Sequence, residues 1–143
     1  MIISLDTIAF LLSLAIKFTG LPGIPVDQLP PMVPVSAAEL TSIVCPEDAK
    51  DCRGMIAMFD DDSYRIIYLN TLDTENSADN SFILHEIVHV LQYKAKGKAI
   101  YANCRALVET ERQAYKAQNE YLKREGVFMQ VGEILRFVTC PPE

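Results

Sequence analysis

The chain has 143 residues, 50% of them apolar and 22% charged. That balance suits one globular domain with a real core and excludes the disordered and fibrous classes. Its net charge of −6 and pI near 4.9 argue against nucleic acid as a partner, because such binders need a basic face to neutralise phosphates.

The first segment, "MIISLDTIAFLLSLAIKF", has the look of a signal peptide without its details. It lacks a basic start, Asp6 interrupts it, and no small-residue cleavage site follows. It is short for a membrane span, and Lys17 would lie inside one. On a helix Asp6, Phe10, Ser13 and Lys17 form one stripe, with Leu5, Ile8, Leu12, Ala15 and Ile16 opposite. We therefore expect an amphipathic helix over about 4–19, ended by Gly20, at the start of a mature domain. Any export signal is expected outside this sequence.

A proline-rich connector runs to Pro31, and "MVPV" reads as an edge strand because Pro34 is excluded from a central one. "SAAELTSIV" opens with a capping box, Ser36 with Glu39. "MIAMF" and "YRIIYL", joined by "DDDS", read as a β-hairpin. "YRIIYLN", 64–70, is either an edge strand that binds an extended peptide by strand addition or a strand fully paired within the domain. A loop follows, in which Asn76 or Ser77 caps a helix running to Lys96 and Gly97. A second long helix is expected over about 104–125, stopped by Gly126, and a short one over about 130–138. The order α-β-α-β-β-α-α-α predicts a single α+β domain over 1–143 with a short antiparallel sheet.

Four cysteines, Cys45, Cys52, Cys104 and Cys140, form no CxxC pair, which speaks against a cysteine-rich zinc site. Their even number suggests two disulfides and an oxidising compartment, periplasmic or secreted. The expected pairs are Cys45–Cys52 and Cys104–Cys140.

Both histidines of the chain fall in "HEIVH". On a helix, i and i+4 share a face, so His85 and His89 are able to point two imidazoles at one cation. Glu86 is turned by about 100°, close enough to reach a water on the metal without displacing it. A catalytic zinc takes three protein ligands and keeps one open position. With no third histidine, the remaining ligand is sought in "LVETERQAYKAQNEYL". Glu111 shares a face with Leu107, Ala114, Tyr115, Gln118 and Leu122, the expected core side; Glu109 shares one with Arg105, Arg112 and Lys116, the expected solvent side. A carboxylate on an apolar stripe is costly unless paired or metal-bound, so Glu111 is the expected third ligand. Cys104, on about the same face, is a rival only as a free thiol. Tyr115 is the leading candidate to stabilise an oxyanion, with Tyr93 and Tyr101 as others. Gln92, one turn past His89, either orients a ligand or caps the core edge.

An HExxH motif followed about twenty residues later by "ERQAY" resembles the gluzincin metallopeptidases, and the small size is similar to the minigluzincins. The segments "HEIVHVLQ", "NCRALVETERQAY" and "FVTC" more closely resemble an uncharacterised family of small exported bacterial zincin-like proteins. That resemblance implies Zn2+ at His85, His89 and Glu111 and Glu86 as general base, and it names no substrate. The leading expectation is a zinc-dependent peptidase acting on a peptide or protein. Non-peptide amide hydrolysis, or a secreted binding module with a structural zinc, remains the alternative.

Overall fold

The computed structural model describes residues 2–45 and 55–142. The first helix, α1 (Leu5–Thr19), begins where the Ser4 side chain accepts the Thr7 N–H, and ends at Gly20 in the left-handed region (φ 70°). The left-handed turn is one that glycine enters without a Cβ clash. Its core face is Leu11, Leu12, Leu14 and Ala15. Leu5, expected on that face, is 66% exposed and lies at the first residue of the helix.

After one 3-10 turn at Val26–Gln28 come β1 (Met32–Val35) and α2 (Ala37–Val44), whose N-cap Ser36 accepts the Glu39 N–H. The hairpin follows as β2 (Ala57–Asp60) and β3 (Arg65–Leu69). The sheet order is β1-β3-β2. β2 pairs antiparallel with β3, as a hairpin must, but β1 pairs parallel with it, so the sheet is mixed rather than antiparallel. The α2 crossover makes this possible, since parallel neighbours need a long connection. β3 is therefore the central strand, paired on both sides, so of the two readings of 64–70 the fully paired strand is the one found and the open edge is not. The strand at the edge near the long helices is β2.

The two long helices are α3 (Ser77–Lys96), capped by Asn76, and α4 (Cys104–Arg124), capped by Asn103. α3 is apolar on nearly every side, and Ile83, Leu84, Ile87, Val88, Val90 and Leu91 are all buried. Such a helix belongs inside a protein, and here it packs against α1, α4 and β2. α4 is amphipathic and buries Thr110, Ala114, Ala117, Gln118, Tyr121 and Leu122. Leu107, expected on that face, is 44% exposed. The last expected helix is a 3-10 stretch, Glu133–Phe137.

Cys104 and Cys140 form a disulfide, as expected. Cys52, the expected partner of Cys45, lies outside the described residues. Among the described residues no helix is long and apolar enough to cross a membrane. The disulfide and the lack of such a helix are compatible with a secreted or periplasmic protein.

Candidate metal centre

Helical spacing puts His85 and His89 on one buried face of α3, with ring centroids 4.8 Å apart. α4 crosses this face and brings Glu111 to both. Glu111 Oε1 lies 2.6 Å from His89 Nε2, and Oε2 lies 3.3 Å from His85 Nε2. One ligand atom from each of the three lies within 4.8 Å of the others, so the group could hold a metal ion. Ligands around a tetrahedral zinc sit about 3.3 Å apart, given zinc–nitrogen and zinc–oxygen bonds near 2 Å. Glu109, by contrast, faces solvent and pairs with Arg112.

The two imidazoles are held from behind. His85 Nδ1 is 2.8 Å from Gln118 Oε1, and His89 Nδ1 is 2.8 Å from Gln92 Oε1. The orientation of each amide is fixed by its other end. Gln118 Nε2 donates to Ser81 Oγ, whose own proton goes to the Ala78 carbonyl. Gln92 Nε2 donates to the Thr110 carbonyl and to Gln113 Oε1. Both amide oxygens must then accept, so both Nδ1 atoms carry protons. In a neutral ring the lone pair is consequently on Nε2, the atom that faces Glu111. This is the arrangement that orients histidine ligands in metal sites. Gln92 is buried and bonded to His89 Nδ1, the contact that the ligand-orienting role requires. Gln118 was legible only as a neighbour of Glu111 on the helix face.

The electrostatics suit a cation. Burial opposes a charge on Glu111, but hydrogen bonds from His85 and His89 more than reverse it, holding the carboxyl far below the usual range. Burial also opposes a charge on His89, yet its bond to Glu111 takes the imidazole up to about 9. A divalent ion binding here would displace the proton between them.

Glu86 stands beside the cluster, with its Oε2 4.0 Å from His85 Nε2. Its Oε1 accepts the Phe59 backbone N–H from β2 at 2.8 Å. Burial raises its pKa, against the pull of His89, His85 and the Phe59 N–H. A cavity of about 350 Å³ opens on the cluster, and Met55, Ala57, Phe82, Glu86, Tyr101 and Tyr115 are among its lining residues. The Tyr115 ring meets the His85 ring edge-on at 4.6 Å. Burial, then Glu111 and Glu86, raises its hydroxyl. Burial, followed by nearby acids, pushes Tyr101 up to about 12. Both phenols therefore stay protonated donors near neutrality. Tyr93 packs its ring on Phe59 instead and is not among the cavity residues. Cys104 is held by Cys140 and is not a thiol ligand.

No curated protein and no solved structure matches the chain. Residues 21–140 match one family across most of the chain. By that match the chain belongs to the family described as domain of unknown function DUF6647.

Proposed function

We propose that the chain is a zinc-dependent hydrolase, a small zincin-like metallopeptidase acting on a peptide or protein. The observation that carries the reading is the convergence of His85, His89 and Glu111 with Glu86 held beside them by β2. Two imidazoles and one carboxylate are the ligand types that favour zinc. Zinc, when bound, supplies a Lewis acid and lowers the pKa of a water. Glu86, buried and raised, is the group that takes a proton from the nucleophile and returns it to the leaving amine. Gln118 and Gln92 hold the two imidazoles in the ligating tautomer. Tyr115, still a donor at neutral pH, is assigned to the developing oxyanion.

A structural zinc centre calls for a fourth protein ligand. The one sequence candidate, Cys104, is in a disulfide, which favours the enzyme over a binding module. Hydrolysis of a non-peptide amide uses the same chemistry and differs only in substrate. The disulfide supports a periplasmic or secreted location.

The experiment is elemental analysis of the purified protein, with wild type and Glu86→Gln compared on a peptide mixture. Stoichiometric zinc and cleavage by wild type alone are expected. Zinc-free protein that is inert with added Zn2+ overturns the reading.

A further inference from the structure

Beyond α4 the chain turns at Gly126 and runs back along the same helix to Cys140, which is bonded to Cys104 at the first residue of α4. Little apolar burial holds this returning segment down. Phe128 is 104% exposed, Ile134 70% and Phe137 77%, so its hold on the protein rests on other contacts. One is the disulfide. The second is Asn119, whose side-chain amide grips the Val131 backbone both ways, donating to its carbonyl at 3.0 Å and accepting its N–H at 2.9 Å.

The third contact is at Gly132. This residue has φ +82°, and a Cβ built on it would lie 2.5 Å from Tyr115 Cγ, 2.7 Å from its Cβ and 2.8 Å from its Cδ2. Glycine is thus required there twice, by backbone conformation and by space. Asn119 is one turn after Tyr115, so the grip and the contact fall on the same face of α4. Tyr115 is left with backbone on one side and the His85 ring, 4.6 Å between centroids, on another.

We propose that the segment 127–140 is a strap that fixes the Tyr115 ring against His85, with Gly132 as the positioning residue. The meaning of this for chemistry rests on the metallopeptidase reading; the contact itself does not. The strap sets where the Tyr115 hydroxyl stands in the cavity, and it grips α4 at Tyr115 and Asn119.

The test uses the imidazole proton resonances of the whole chain, with and without Zn2+ alone. Two histidines make this region a report on the centre only. A nearby aromatic ring displaces such resonances through its ring current, so Tyr115→Leu defines the His85 signal without the ring. Gly132→Ala is expected to move the His85 signals toward their Tyr115→Leu positions and to leave those of His89 in place. Asn119→Ala releases the strap without introducing a clash and is expected to move them the same way, which secures the test if Gly132→Ala fails to fold. His85 signals that superimpose on wild type in the folded variants overturn the proposal. So does an equal movement of the His85 and His89 signals, which would make the strap a general clamp on the helix pair. These outcomes are read whether or not any peptide is cleaved.

Discussion

Gln118 and His85 form a relay that ends on the Ala78 carbonyl, so the direction of their 2.8 Å hydrogen bond is dictated from outside the cavity. Gln118→Leu removes the acceptor for the Nδ1 proton. We expect it to weaken zinc binding about 10–100-fold, the usual cost of losing such a partner. Gln118→Glu, whose carboxylate still accepts that proton, should retain most of the affinity. Competition with a chromophoric chelator measures both.

His85→Ala and Glu111→Ala should each reduce zinc affinity by more than the ~100-fold upper range for an orienting residue. Glu109→Ala should leave it unchanged, since its partner is the surface Arg112 and exposed pairs contribute little. Zinc loss by the Glu109 variant, with Glu111→Ala intact, would reverse the assignment.

Glu86→Gln keeps an oxygen for the Phe59 N–H and removes the proposed base. It should fold and hold zinc as wild type does, and lose at least ~10²-fold in hydrolysis. Equal rates for the two proteins on any cleaved peptide would remove Glu86 from the mechanism.

What the sequence made legible here was local. Caps at Ser36 and Asn76, the His85–His89 pair and the choice of Glu111 over Glu109 all follow from spacings within one or two helical turns. Long-range pairings carry no such spacing. Gln118 meets His85 across 33 residues, β1 joins β3 in parallel through a crossover, and Gly132 reaches Tyr115 only because the strap folds back. Tyr93 and Tyr115 are both polar aromatics on long helices. Of the two, only Tyr115 lines the cavity, while Tyr93 packs on Phe59, a residue of another element.

Reduction, or Cys104→Ser with Cys140→Ser, opens a loop with a sequence separation of 36. The chain-entropy account gives a loss of about 4 kcal/mol for a loop of this length. Urea unfolding of oxidised and reduced protein should show a clear fall in midpoint, and coincident curves would refute it.

The hairpin turn offers a pH test away from the centre. The Ser63 hydroxyl is the main reason that the Asp60 carboxyl is held below its ordinary 3.8, with the Ser63 and Asp62 N–H groups and Arg65 helping against burial. A depressed folded-state pKa gives stability that is present above the unfolded value and lost as pH falls through the folded one. Ser63→Ala should therefore cost about 0.5–1.5 kcal/mol at neutral pH and progressively less below pH ~4. Urea midpoints across that range check it; a deficit independent of pH would point to the turn backbone instead.

The hydrogen bond from Phe59 N–H to Glu86 also bears on how copies of the chain treat one another. An open sheet rim with unpaired N–H groups is a template for pairing with a second molecule. On the β1 rim, Pro34 has no N–H to offer. On the β2 rim, the Phe59 N–H is already occupied by a buried carboxylate. Glu86 thus covers a backbone donor on the β2 rim, and Glu86→Ala would free it. Self-association of that variant would report on the rim and say nothing about the base.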